Sequence, residues 1–263
     1  MKKKTLIVAF VVSALLVACG GGTPTPTQPP PPTANELSTA FDAYTDLLQR
    51  LDIGYGRSGA VEFDFITEVE NSTRGQGQML QGTTLQTTNG FFKVIAGYDT
   101  LYARMFANVE GEGFSFNHEM YIDIEDGEVN VSMFADGEEM DNEGMLDNPS
   151  DFENMLALGF VLFQFPQTAI TAVTIDGDTI RMTIDSEAVR ELHPARNDGV
   201  RQSQIMHGNF YVEIVTSPNG VPLSATMTRF TQTTFEDQTT DTRTTAYYTF
   251  RAWGDDVMPD EPA

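Results

Sequence analysis

The chain has one cysteine in 263 residues, so it cannot close an internal disulfide. Three histidines leave little material for metal ligation or for a histidine-based nucleophile system. There is no HExxH, no Walker loop, no GxGxxG after a strand and no Gly-x-Ser-x-Gly elbow; GYGRSGA has the wrong spacing. Positive charge is equally scarce, with 15 Lys and Arg against 38 Asp and Glu and a net charge of −23. Such a field repels phosphate backbones and anionic headgroups, which excludes nucleic acid as a partner and disfavours electrostatic docking on a membrane. No enzyme is expected, and no cofactor.

What is present begins with the lone cysteine. Lys2, Lys3 and Lys4 precede a short apolar run, Thr5 to Ala18, below the ~20 residues that span a bilayer. That is the anatomy of an export signal, residues 1–18. Leu16-Val17-Ala18-Cys19 followed by Gly20 resembles the bacterial lipobox. The resemblance implies cleavage before Cys19, diacylglycerol on its thiol and a further acyl chain such as palmitate on its amine. Two or more chains give stable anchoring. The expected location is therefore extracytoplasmic, on a bacterial cell membrane or outer membrane. Loss of the signal removes three lysines and no acids, leaving 12 basic against 38 acidic residues, or −26. Residues 19–33 join Cys19 to GGGTPTPTQPPPP, a Pro/Thr-rich tether of extended polyproline type.

Thr33-Ala34-Asn35-Glu36 reads as a capping box, and Leu37, Phe41, Tyr44, Leu48 and Leu51 recur at helical spacing, which predicts an amphipathic helix over 34–52. From Gly59 the period becomes two. Val61, Phe63, Phe65 and Val69 share one face, and Glu62, Asp64, Glu68 and Glu70 share the other. FSFNHEMYIDI repeats the pattern with His118 in the apolar row, which we read as a core or cavity histidine rather than a ligand. Asp126-Gly127 and Asp176-Gly177 sit between alternating runs and predict hairpins, as does SPNG at 217–220. Nine or ten strands are expected in one antiparallel sheet. In YDTLYARMFANV, Leu101, Ala103, Met105 and Val109 oppose Tyr98, Tyr102 and Phe106; apolar rows on both faces predict a curved sheet with helices in its hollow. Residues 193–206 read as loop, and Ser186 to Leu192 as a short helix.

One segment departs from the pattern. NPSDFENMLALGFVLFQFP has Asn148 as N-cap, Pro149 at the first helical position and Pro166 as stop. The helix predicted over 150–165 has hardly any polar face and is expected to be buried all round. Phe152, Met155, Leu156, Phe160 and Phe163 are the candidate ligand-lining residues, and twelve methionines add adaptable apolar surface. The acidic run Asp136 to Asp147 misses the calcium-loop pattern and reads as solvated charge.

Lipobox, tether, amphipathic helix, meandering strands, apolar helix and a final YTFRAWG strand together resemble the LolA/LolB-like lipoprotein carriers, including the mycobacterial lipid-carrier lipoproteins. The resemblance rests on element order over 34–256, with 257–263 as a tail, and no family motif transfers a site residue. It implies an α+β fold: a half-open β-barrel, curved and mostly antiparallel, with helices in its concave face. The function it implies is binding of a lipid or other apolar ligand in that concavity, on a protein held to the membrane through Cys19. The alternative is a structural or interaction lipoprotein with a filled core, meeting an envelope protein through its acidic face.

Overall fold

The computed structural model describes residues 31–53, 56–75, 80–140, 165–185, 204–235 and 238–258. The first element is a helix, α1, Ala34–Leu51. Its start is fixed by the predicted capping box. The Thr33 hydroxyl accepts from the Glu36 amide, and the Glu36 carboxylate accepts at 2.7 Å from the Thr33 amide and hydroxyl. Ala40, Tyr44 and Leu47, spaced at three and four, form its buried stripe.

Eleven strands follow: β1 Gly59–Arg74, β2 Leu80–Ala96, β3 Thr100–Gly111, β4 Phe114–Glu125, β5 Glu128–Ala135, β6 Glu138–Glu139, β7 Ile170–Asp176, β8 Thr179–Ile184, β9 Gln204–Thr216, β10 Pro222–Phe235 and β11 Gln238–Trp253. All pair antiparallel in one sheet of order β6-β5-β4-β3-β2-β1-β11-β10-β9-β8-β7. Two meanders, β1–β6 and β7–β11, are thus joined along the β1–β11 seam, which runs from Val61↔Trp253 to Arg74↔Thr239. The sheet is open, because among the described residues β6 and β7 have no second neighbour. The chain between β6 and β7 leaves one edge of this sheet and re-enters at the other.

The hairpins expected at Asp126-Gly127, Asp176-Gly177 and 217–220 join β4 to β5, β7 to β8 and β9 to β10, and Asp136-Gly137, read from the sequence only as the start of an acidic run, makes a further one between β5 and β6. Asp126-Gly127 and Asp136-Gly137 have both residues at positive φ, the conformation of tight primed hairpins, and Asp and Gly tolerate it. Asp136 also accepts at 2.8 Å from the Asn117 amide, locking the β5–β6 turn onto β4.

One face of the sheet, called inner here, carries α1 and the core. Val61, Phe63, Phe92, Val94, Leu101, Ala103, Met120, Ile122, Ile124, Met133, Ile180, Met182, Ile184, Val212, Ile214, Met227, Ala246 and Tyr248 form one buried cluster with the α1 stripe. α1 packs on β7, β8 and β1 and on a 3-10 turn at Gln167–Ala169. Burial at this scale is the chief stabilising term, ~1.5–3 kcal/mol per large apolar side chain.

Several expectations need correction. Among the described residues the sheet has eleven strands, the eleventh counted being the two-residue β6, where nine or ten were expected. Gln204 to Met206 lie in β9, not in a loop, because Thr234, Thr233 and Gln232 of β10 pair with them. Tyr98 is 79% exposed in the turn before β3, outside the strand row. In the outer row of β3, Phe106 stacks on Phe91 at 6.2 Å, and among the described residues no helix packs on that row. The predicted helices at 150–165 and 186–192, the signal at 1–18 and Cys19 lie outside the described residues.

The strands run well beyond the core. Gly82–Thr88, Thr228–Thr234 and Gln238–Thr245 are dominated by Thr and Gln, and the facing Thr67–Arg74 is polar apart from Val69. There the ladder is reinforced by side-chain pairs: Thr73 with Thr240 at 3.3 Å, Thr242 to Asn71 at 2.7 Å, Thr228 with Thr245 at 3.3 Å, and Gln232 to Asp241 at 2.7 Å. This polar half has no periodic apolar signal, which is why β2 and the outer ends of β10 and β11 escape a pattern reading.

Candidate functional site

Residues opposite one another in an antiparallel pair share a face, so the register sorts every strand side chain. On β1 to β5 and β7 to β11 all acidic residues fall on the outer face: Glu62, Asp64, Glu68 and Glu70 on β1, Glu110 on β3, Glu119, Asp123 and Glu125 on β4, Glu128 on β5, Asp176 on β7, Glu213 on β9 and Asp241 on β11. The inner face of these strands holds one Lys or Arg, Arg229 of β10. In so acidic a chain this segregation is the main feature of the fold.

Arg229 stands where the apolar floor ends. Met227, two residues earlier on the same face, is fully buried. Arg229 pairs in register with Thr244 of β11 and Phe210 of β9, 8% and 3% exposed. Its Nε is buried, and burial pushes the guanidinium pKa down. Thr231 and Thr242 occupy the next rung on the same face, followed by Thr233 and Thr240. The inner face therefore passes from an oily floor, through one cation, to a field of hydroxyls.

The floor extends far from α1. Leu101, Ala103, Met120, Ile122, Ile124 and Met133, on β3 to β5, are each 4% exposed or less, although α1 sits over β1, β7 and β8. Phe165, 6% exposed, follows the apolar run and meets α1 through Tyr44 at 4.5 Å and Phe41 at 6.5 Å.

The outer face is differently built. Asp64 and Glu62 meet Arg251 at 2.6 and 3.4 Å, and Glu62 lies 3.9 Å from Lys93. Lys93 is only 7% exposed. Arg104 lies 5.2 Å above the rings of both Phe91 and Tyr121. Burial, then a 3.0 Å hydrogen bond donated to Glu119, pushes the Tyr121 phenol pKa up. On β7 to β10 two cross-strand rungs, Thr174-Arg181-Glu213-Thr226 and Ala172-Thr183-Tyr211-Thr228, frame a shallow groove of about 340 Å³. Beside it Tyr211 meets Phe230 edge to face at 6.2 Å, and Arg243 covers Phe230 at 5.8 Å.

Of the residues singled out from the sequence, Phe152, Met155, Leu156, Phe160, Phe163 and Cys19 lie outside the described residues. His118 is half-buried and occupies the inner row, opposite Ala107 and Ala135. Farther out in that row Phe116 and Phe114 are 38% and 48% exposed, so the apolar row is buried only from Met120 on. Among the described residues no group of three His, Cys, Asp or Glu is placed to hold a metal ion. No described helix is long and apolar enough to cross a membrane. Arg229 had a signal available in the sequence: its odd position shares a face with Ala225 and Met227. Reading it required continuing the period into the threonine run.

The chain matches no protein-family model and no curated protein sequence. Among solved structures it is similar to a crystal structure described as a beta-barrel-like protein of the domain of unknown function DUF1849 from Brucella abortus. Identity is 9%, over 73% of this chain and 98% of that one, with a TM-score of 0.25. At that score the likeness defines neither family nor function.

Proposed function

We propose that this chain is an extracytoplasmic lipoprotein, anchored through lipidated Cys19, that shelters a lipid or other apolar ligand against the inner face of its sheet. The observation that carries the reading is the extent of the oily floor. It spans β3 to β5 as well as β7 to β11, while α1 covers β1, β7 and β8. In this reading the apolar run at 150–165 covers the remainder.

Two features support that placement. β6 and β7, the strands on either side of the run in sequence, stand at opposite edges of the sheet, and Phe165, just before β7, is packed against Tyr44 of α1. α1 itself touches β1 and β7, with four strands between them in the sheet order. At ~4.8 Å per strand that is ~24 Å on a flat sheet. A sheet curled around the helix satisfies both contacts, as in the LolA/LolB-like carriers. The lining residues are then Phe152, Met155, Leu156, Phe160 and Phe163.

The test uses the full chain with Cys19→Ser, so that no lipid is covalently attached. Lipid extraction and native mass spectrometry of the purified protein are expected to return a bound apolar molecule. Consistent absence of one, together with failure to take up added fatty acid, contradicts the reading.

The alternative is a filled core with function on the outer face, and the exposed rings of Tyr211, Phe230 and Tyr247 favour it. Charge reversal at Glu62 or Asp64 would disturb the Arg251 and Lys93 contacts. Glu68 and Glu70, exposed farther along β1, are the cleaner positions for it. Loss of a cross-linked envelope partner on that reversal supports the alternative.

A further inference from the structure

We propose that the shallow groove on the outer face of β7 to β10, continued by Tyr247 of β11, binds an uncharged oligosaccharide. Such a site is independent of the anchor and of any ligand on the inner face, and it gives the exposed rings a sugar as partner in place of a protein.

The groove lies on two neighbouring rungs, Ala172-Thr183-Tyr211-Thr228 and Thr174-Arg181-Glu213-Thr226, and its volume is about 340 Å³. Its polar and aromatic side chains reach solvent: Tyr211 is 43% exposed, and the side chains of Arg181 and Glu213 are 51% and 37% exposed. Tyr211 and Glu213 are two residues apart on β9, ~6.8 Å in an antiparallel strand, so one sugar unit reaches both the ring and the ion pair. Phe230 meets Tyr211 edge to face at 6.2 Å and is itself covered by Arg243, which steadies the platform. Tyr247, 39% exposed, pairs in register with Thr226 and sets a second ring on the same face, one strand beyond the groove.

Charge and shape select the ligand. Arg181 donates through Nε to Glu213, so the two charges in the groove cancel. An anion gains little from a neutralised pair and is repelled by the other acids of the outer face. A cation has to displace Arg181 from Glu213. An apolar molecule needs a concave pocket that buries most of its surface, and a groove open along a sheet face does not supply one. A sugar suits both parts of the surface. The C–H groups of a pyranose form an apolar side that packs on the negative face of a tyrosine ring. Its rim of hydroxyls donates and accepts. A guanidinium has five N–H donors and a carboxylate about four acceptor positions, so each keeps capacity beyond their mutual contact, and adjacent sugar hydroxyls bridge the pair. Thr228 is engaged with Thr245 at 3.3 Å, so the hydroxyls the groove adds are those of Thr174, Thr183 and Thr226. Tyr211 and Tyr247 stand two strands and one rung apart, ~12 Å on a flat sheet, which calls for a chain of sugar units rather than one.

The test is affinity electrophoresis of the full chain with Cys19→Ser through native gels containing a soluble β-glucan, a mannan, dextran or, as the anionic comparison, alginate. At least one neutral polymer is expected to retard the protein, and alginate is not. Against that polymer, Tyr211→Ala and Tyr247→Ala are each expected to raise the dissociation constant by about 10-fold, the scale of a lost ring contact. Arg181→Met is expected to raise it by on the order of 10- to 100-fold, the scale of hydrogen bonds from a charged group. Tyr211→Phe keeps the ring and should stay within about 3-fold, as should Tyr98→Ala, which removes an exposed ring far from the groove in the β2–β3 turn. No retardation by any of the neutral polymers, equal retardation by alginate, or unchanged binding in both Tyr211→Ala and Tyr247→Ala overturns the proposal. An equal loss in Tyr98→Ala does so too. A cross-linked envelope protein lost in Tyr211→Ala, with no sugar bound by the parent, assigns the rings to a protein interface instead. Thermal midpoints of the variants within a few degrees of the parent establish that the fold is intact.

Discussion

The rings of Tyr44 and Phe165 lie 4.5 Å apart, centroid to centroid, inclined by 30°. Tyr44 belongs to the first helix of the folded unit, and Phe165 marks the point where the chain returns to the far edge of the sheet. The contact therefore ties the amphipathic helix to the end of the long connection between the two meanders. Phe165→Ala should cost about 3–5 kcal/mol, the usual range for a buried phenylalanine. Urea unfolding with an unchanged slope measures it; a loss below about 1 kcal/mol contradicts the packing described.

Gly90 sits on the inner face of β2 between Phe65 and Ala107. A Cβ added there would lie 1.9 Å from the carbonyl oxygen of Phe106, which is backbone and cannot swing aside. Gly90→Ala is expected to destabilise by about 1–3 kcal/mol or more through forced separation of β2 from β3. Gly82→Ala, which meets nothing within 4 Å, is the control and should leave the transition midpoint nearly unchanged.

The Thr33 hydroxyl, and then its amide, hold the Glu36 pKa below the ordinary glutamate value. The sign follows from linkage. With the folded value below the unfolded one, about 4.3, the stabilisation is complete above that pH and is lost as pH falls through the folded value. NMR titration of the Glu36 carboxyl should give a midpoint below the ordinary value in the parent, moving up in Thr33→Ala. A midpoint at or above the ordinary value in the parent contradicts the capping box.

Protection should fall along single strands. In β2, Phe92 and Val94 are buried while Thr84, Leu85 and Gln86 are exposed on both faces. Backbone amides around Thr84–Gln86 should exchange with solvent well before those around Phe92–Val94, because the polar half has little buried area to hold it closed. Uniform protection along β2 contradicts that division.

These details show where sequence is informative. The helix at 34–51, its cap, the Asp-Gly hairpins and the face assignment of Val61 to Glu70 all follow from spacing, since each depends on neighbours a few residues away. The Asn71–Arg74, Gly82–Thr88 and Gln238–Thr245 stretches do not, because their β structure depends on partners far along the chain. Arg229 belongs to that class. Its meaning lies in Phe210 and Thr244 beside it, and only the register supplies those. The reading of β3 as doubly apolar missed that Phe106 packs sideways on Phe91, on the outer surface.

The most direct measurement is the mass of what copurifies with the intact fold. Native mass spectrometry of the full chain with Cys19→Ser, before and after organic extraction, should show one apolar molecule per chain that is removed by extraction and restored by added oleate. A protein that is folded, empty before extraction and unable to take up oleate afterward would show a core already filled by its own side chains.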